Sequence, residues 1–328
     1  MEEPLVSVCV ITYNHEPYIR KSIDCVLAQE TKFPFELVIG EDCSTDGTRE
    51  IVFDYQKKYP DIIRVVTSNK NVGAHKNNLR TEKACRGKYM AFCDGDDYWH
   101  HPRKLQKQVD YLESHPECGL VSSASHRFHV ETGKLVKDCR GYEGKNDLIQ
   151  GNPKQVLRAL LRGKCRITTC TVCLRKDLSD ALVASDPFLY ASGHFLMGDT
   201  QRWAGFSQIS RLGYIDESLA THNILIESVA HSRDPIKVHR FWKSNAELCV
   251  YLTEKYGLSE VEVKHFQSYL WQQSLRLAFY ETNAQLAEEV KRSKQKFSLK
   301  EWLLYFGSKN RPLNFGLRPI IRLNKYTK

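Results

Sequence analysis

What the chain lacks narrows it first. No run of about 18 or more apolar residues occurs, so no membrane-spanning helix is expected. No basic segment precedes the first apolar run: MEEPLVSVCVITYN begins with acids and passes directly into a strand, unlike a signal peptide. No G-x-G-x-x-G follows that strand and no G-x-x-x-x-G-K-[ST] occurs anywhere, which excludes a dinucleotide fingerprint and a P-loop. Internal repeats and low-complexity tracts are absent, as is any nucleic-acid-binding motif, so no nucleic-acid partner is expected. Eleven cysteines, an odd number scattered through strand-like and helix-like stretches, suit reduced thiols better than a disulfide framework. These features together lead to the expectation of a cytoplasmic protein.

What is present is a chain of 328 residues, 41% hydrophobic and 27% charged, enough for one large domain or a domain with an appendage. Its net charge of +9 lies in the tail. Residues 264–328 hold 13 Lys or Arg against four Glu, while the first 263 residues balance 35 against 35. That asymmetry points to an anionic partner surface at the tail.

The first 115 residues alternate strand and helix patterns. Leu5 to Ile11 is a nearly continuous apolar strand, as in a parallel sheet covered on both faces. Pro17 opens a helix with Ile19, Ile23, Val26 and Leu27 on one face. Phe35–Gly40 and Ile62–Val66 read as further strands, with a helix around Ile51, Val52 and Tyr55 between them. Another helix ends near Gly87, and the strand Tyr89–Cys93 follows. Pro102 then starts a helix with Leu105, Val109 and Leu112 inward. This rhythm predicts an α/β fold with an open, mostly parallel, doubly wound sheet. Residues 116–232 read as short strands, with a helix over Pro153–Arg162. Cys165, Cys170 and Cys173 in KCRITTCTVCLRK could seed a zinc site. No second pair lies at finger-like spacing, and Ile167–Leu174 has the Thr, Val and Ile content of a strand. Residues 233–328 read as a basic helical extension. One helix runs over Pro235–Tyr256, with Gly257 as its stop, and Ser259-Glu260-Val261-Glu262 has the S-x-x-E form of a capping box that opens a second. Leu299, Trp302, Leu303 and Phe306 form an amphipathic stripe flanked by Lys294, Lys296 and Lys300. The expected division is 1–232 and 233–328.

In such sheets ligands bind at the carboxyl ends of the strands. Those ends carry Thr12-Tyr13-Asn14, Glu41-Asp42, and the acidic run Asp94-Gly95-Asp96-Asp97. Like charges this close repel unless something positive holds them. A hard divalent cation, Mg²⁺ or Mn²⁺, takes oxygen ligands and completes its shell with substrate phosphates. A solvated acidic turn, with Asp97 capping the next helix, is the alternative. Asp46-Gly47 is ordinary turn chemistry. Asp42, earlier at its strand tip, could accept a hydrogen bond from a base N–H such as uracil N3.

Three stretches, VSVCVITYNHEPYIRKSIDCVLAQ, ELVIGEDCSTDGT and NVGAHKNNLRTEKACRGKYMAFCDGDDYW, resemble the family 2 glycosyltransferases of the GT-A fold. FLMGDTQRWAGFSQISRLGYIDESLATHNILIESVAHS looks like the second half of the same catalytic domain. The resemblance covers about residues 1–232 and leaves the tail unexplained. It implies a GT-A catalytic domain, a nucleotide-sugar donor with UDP as its usual nucleotide, and inverting transfer to a hydroxyl of a glycan or lipid-linked acceptor, as in surface-polysaccharide synthesis. Thr12, Tyr13, Asn14 and nearby Glu16 lie where the family holds the nucleotide, and Asp42 where it contacts the base. Gly73 and Asn77 fall on the donor-binding stretch. Asp94 and Asp96 stand at the D-x-D positions that touch ribose and metal, and Asp97 extends that group. Asp199 stands at the position of the catalytic base.

One departure is plain. Many relatives carry an aromatic-Arg pair after the "LAT" element, where this chain has His222-Asn223. A charge near the diphosphate is then missing. His222 or His231 could replace it as a metal ligand or diphosphate contact, or both could be loop histidines. A nucleotidyltransferase would need a Gly-rich loop and a signature Lys after the first strand, and a glycoside hydrolase has no use for Thr12 to Asn14. A catalytically inactive transferase-like binding protein remains the alternative reading. The basic tail would bind the inner membrane face through anionic lipid, or cap the catalytic domain, or form a dimer interface.

Overall fold

The computed structural model describes residues 3–139, 151–225, 232–294 and 296–323. It divides into two compact units, residues 1–194 with 198–225, and residues 195–197 with 226–328.

The first unit is built on a sheet of nine strands among the described residues: β1 (Val6–Thr12), β2 (Phe35–Glu41), β3 (Ile63–Val66), β4 (Tyr89–Phe92), β5 (Tyr98–Trp99), β6 (Cys118–His129), β7 (Lys134–Cys139), β8 (Cys173–Arg175) and β9 (Arg211–Ile224). Their order is β3-β2-β1-β4-β8-β6-β9-β5, with β7 beside β6. The first four are parallel, as the apolar runs of the early chain predict. Later strands depart from that pattern: β8 joins β4 and β6 antiparallel, and β5 joins β9 antiparallel. The expected strand over 167–174 is instead a 3₁₀ turn, Thr169–Thr171, followed by the three-residue β8.

Helices α1 (Ile19–Leu27), α2 (Thr48–Lys58), α3 (Ala74–Ala84) and α4 (Lys104–Ser114) connect the early strands. They are followed by α5 (Pro153–Leu161), α6 (Lys176–Ser185), α7 (Pro187–Tyr190) and α8 (Gly198–Ile209). The apolar face of α1, Ile19, Ile23 and Val26, is fully buried against a core that includes Val8, Val10, Leu37, Ile39 and Ala91. Burying side chains of this size is worth about 1.5–3 kcal/mol each, which fixes the strands whose ends form the site.

The second unit is helical: α9 (Pro235–Lys255), α10 (Glu260–Glu281), α11 (Ala284–Ser293), α12 (Leu299–Lys309) and α13 (Arg311–Leu323). Ser259 makes no cap bond to a backbone N–H. The capping box lies at Ser298 and Glu301, which open α12. The expected stripe on α12 is split by packing. Leu304 and Tyr305 join a core with Phe279 and Val290, Trp302 and Leu303 lie partly against it, and Leu299 (79%) and Phe306 (50%) stay exposed. Helical periodicity alone cannot say which edge of a wide apolar stripe a neighbour covers.

Candidate active site

The carboxyl ends of β1, β2 and β4 converge, and backbone geometry there is unusual. Asn14 and Cys43 have φ of 54° and 60°, and Gly73 has φ of 87°. Left-handed backbone of this kind costs non-glycine residues energy and collects at functional sites.

Asn14 and Glu16 brace the loop after β2. The Asn14 side-chain oxygen accepts from Thr45 N (2.8 Å), and its backbone N–H donates to Ser44 Oγ (3.1 Å). Glu16 accepts from Gly47 N (2.8 Å), and its own N–H donates to Asp46 (3.2 Å). Tyr13, beside them, is exposed at 42%. Asp42 is buried, with its two oxygens accepting from Val72 N and Gly73 N at 2.9 Å each, and Arg80 lies 3.4 Å away. It therefore pins the segment that opens α3, where Gly73 adopts a conformation other residues resist. Asn77 is also committed: it donates to Gly40 O (2.7 Å) and accepts from Arg80 Nε (2.9 Å).

The acidic run follows β4 as a tight turn, with Asp97 N donating to Asp94 O (2.9 Å). Gly95 packs directly on β1. A Cβ there would fall 2.7 Å from both Thr12 Oγ1 and His15 Nδ1. Those two atoms are buried without a hydrogen-bond partner, as is Asn223 Oδ1. Buried polar atoms are rarely left unpaired, so a cluster of three beside one acidic turn marks a place where a ligand or water completes the bonding.

Strand pairing supplies the positive partner. The antiparallel register that sets Tyr98 against Thr221 places Asp97 opposite His222. His222 Nδ1 is 3.1 Å from each Asp97 oxygen, and Asn223 N donates to Asp97 (2.8 Å). The Asn223 side chain donates to Asp96 O. Burial works against a charge on His222. The Asp97 carboxylate, with Asp96 and Asp94, outweighs it and lifts the imidazole to about 9. Asp94 is driven well above the ordinary carboxylate range by burial, then by Asp97 and Asp96. Asp96 is raised by burial and then by Asp97, with His15 opposing.

Asp199 opens α8. Its carboxylate accepts from Thr200 N (2.6 Å) and Thr200 Oγ1 (3.3 Å), and burial raises its pKa despite those bonds. It lies close enough to feel His222 and to push Asp94 upward. The structure thus brings Asp94, Asp96, Asp97, His222 and Asp199 into one electrostatic group, with Thr12 beside it. His231 lies outside the described residues.

Sequence reasoning did not single out His15, Asn223 or Cys170 as parts of this place. The Cys170 thiol hydrogen-bonds Asp97 and is raised well above its ordinary range, first by burial. Asp97, Cys170 and His222 offer ligand atoms all within 4.8 Å of one another, the one such group among the described residues. Cys165, Cys170 and Cys173 therefore do not form a zinc site together there. All eleven cysteines are free. Only the return of β9 beside β5 brings residue 222 to residue 97, and no local spacing reports it.

The oxygen-rich turn fits a hard divalent cation. The Asp97 carboxylate fixes the His222 ring through Nδ1, and the charge it gives the imidazole keeps a proton on both ring nitrogens, so His222 stands behind the turn as a counter-charge.

Comparison with known proteins bears on the fold and the family. The uncharacterized protein Rv1520 of Mycobacterium tuberculosis is 46% identical over 112 residues, which is 34% of this chain and 32% of that protein. The chain thus matches only about a third of that relative's length. The crystal structure of S. aureus TarS 1-349 in complex with UDP-GlcNAc is similar with a TM-score of 0.55 at 20% identity, over 92% of this chain and 79% of that one. The mannosyltransferase PcManGT from Pyrobaculum calidifontis, in complex with GDP-Man and Mn²⁺, has a TM-score of 0.51 at 17% identity, over 97% and 84%. At these identities both likenesses concern the fold, which is GT-A. The model of glycosyl transferase family 2 matches residues 7–180, more than half of the chain, and the protein belongs to that family.

Proposed function

We propose that the protein is an inverting glycosyltransferase that moves a sugar from a UDP-sugar to a hydroxyl of a glycan or lipid-linked acceptor in surface-polysaccharide synthesis. The observation that carries this reading is the meeting of Asp94, Asp96, Asp97 and His222 with Asp199 at one end of the sheet. UDP-GlcNAc in the TarS structure and GDP-Man in the PcManGT structure support a nucleotide-sugar donor, and the first supports UDP.

An acceptor hydroxyl has a pKa far above 7 and needs a base as it attacks the anomeric carbon. Asp199 takes that proton, since its raised pKa makes it a stronger base than an exposed aspartate. Asp94 and Asp96, with Asp97 and His222 behind them, would hold the divalent cation, Mn²⁺ or Mg²⁺. When bound, the cation neutralises charge on the leaving diphosphate. Thr12, Tyr13, Asn14 and Glu16 shape the nucleotide side with Asp42, Gly73 and Asn77. Asn14, Glu16, Asp42 and Asn77 do so through the loops they brace.

We place the enzyme in the cytoplasm, peripheral at the inner face of the membrane. Leu299, Phe306, Leu313 and Phe315 are exposed on α12 and α13, within the segment of net charge +9, and support that location. Flotation with anionic vesicles at low salt tests it, and protein left at the bottom of the gradient rejects it.

The activity is tested by incubating the protein and Mn²⁺ with UDP-glucose, UDP-galactose and their N-acetyl forms, with water as the acceptor hydroxyl, and measuring UDP release. Release from at least one donor, abolished by chelator, supports the reading. An inactive binding protein would release none.

A further inference from the structure

Asp199 makes its hydrogen bonds within its own turn, to Thr200, so its position depends on what holds the start of α8. One turn on, Arg202 reaches across to α3. Its two terminal nitrogens meet the two oxygens of Glu82, Nη2 to Oε2 at 2.8 Å and Nη1 to Oε1. The side chains are only 8% and 7% exposed. Asn78 donates a further bond to Glu82 (2.6 Å), and the guanidinium lies 5.8 Å from the Phe92 ring, two residues before Asp94. Glu82 itself stands on the helix that Asp42 pins through Gly73.

We propose that the Glu82–Arg202 pair is the positioning element that sets Asp199 against the donor side of the site. The proposal rests on the reading of Asp199 as the base. A forked, two-bond ion pair restricts both the distance and the rotation of α8, which a single bond or a Lys at residue 202 does not. Two buried charges cost desolvation that an apolar pair of similar size avoids, so the arrangement is a poor way to gain stability alone. It joins the helix bearing the base to the helix and strand that bear the nucleotide-side residues. Neither residue touches the reacting atoms.

The test uses Glu82→Gln, which keeps shape and loses charge, and Arg202→Lys, which keeps charge and loses the fork. Each is made in the wild-type protein and in Asp199→Asn. UDP release is followed with the fastest of the four UDP-sugars, and UDP affinity by calorimetry with Mn²⁺. Each variant is expected to lower kcat by about 10²-fold, the scale of a misplacement near 1 Å, while UDP affinity stays at wild-type strength. In Asp199→Asn neither is expected to slow the residual rate further. An equal fold-loss in both backgrounds, or a loss of UDP affinity that matches the loss of kcat, would overturn the proposal. Amide hydrogen exchange gives a readout without turnover. Faster exchange confined to residues 198–203 in Glu82→Gln supports positioning, and unchanged exchange, or acceleration across the whole sheet, rejects it. If Asp199→Asn alone turns over at the wild-type rate, the base assignment fails while the exchange result still judges the pair.

Discussion

His222 sits with Nδ1 equidistant from the two oxygens of Asp97, 3.1 Å from each. The contact ties β9 to the turn after β4 and sets a positive charge behind Asp94 and Asp96. Partners of this kind typically contribute 10–100-fold to metal affinity. Asp97→Asn is therefore expected to weaken Mn²⁺-dependent UDP binding by about that factor, with His222→Ala at least as severe. Titration of each variant with Mn²⁺ at fixed UDP measures it. Unchanged Mn²⁺ dependence in both variants contradicts the assignment.

Asp199 carries the pH prediction. Its folded pKa is raised, so protonation removes the base at a pH above the usual aspartate range. With Mn²⁺ saturating, which keeps Asp94 and Asp96 ionised, transfer falls as pH drops through that raised value and is flat above it, until other groups titrate. Asp199→Asn loses about 10²–10⁴ in kcat, retains UDP affinity, and loses the acid limb. A pH–rate profile of both proteins checks this. An acid limb that survives the substitution assigns it elsewhere.

Gly95 has no room for a side chain. A methyl group would meet Thr12 and His15 at 2.7 Å. Gly95→Ala must push the acidic turn off β1, at a cost of about 1–3 kcal/mol in stability, and UDP binding should fall with it. Thermal unfolding and calorimetry on one preparation measure both. Wild-type values would mean that the turn yields freely and is not held by β1.

Lys104 is fully buried on α4. Its ammonium donates to Gln108 Oε1 (2.6 Å) and lies 4.0 Å from the Trp99 ring centroid. Burial lowers its pKa to about 8, against opposing contributions from nearby Cys173, Cys93, Cys170 and Cys25. Between that value and the ordinary lysine range the unfolded chain binds the extra proton. Lys104 therefore adds stability as pH rises through this window and withholds it below. Relative to Lys104→Met, wild type should gain up to about 3 kcal/mol between pH 8 and pH 10.5. Urea unfolding of both proteins across that range decides it, and a constant difference contradicts a buried, titrating lysine.

The early sheet was legible because its signals are local. The apolar run of β1, the spaced face of α1 and the polar strand ends each lie within one element, and the structure places them as read. The acidic turn was legible for the same reason. What surrounds it was not. His222 reaches Asp97 through a strand more than a hundred residues later, and Arg202 reaches Glu82 across a similar gap. Asn14, Glu16 and Asp42 show another limit. Their positions at strand tips were readable, but a carboxylate or amide that braces a loop has the same sequence as one that waits for a ligand. The α12 stripe was readable as amphipathic, while the burial of its Leu304 and Tyr305 edge depended on partners from α10 and α11.

The central claim is that the turn after β4 holds a nucleotide diphosphate through a divalent cation. Calorimetric titration of UDP, with and without Mn²⁺, into wild type and Asp96→Ala tests it most directly. The account predicts saturable UDP binding that requires Mn²⁺ and is lost in Asp96→Ala. UDP binding that is equally strong without the cation, or that survives in Asp96→Ala, would contradict it.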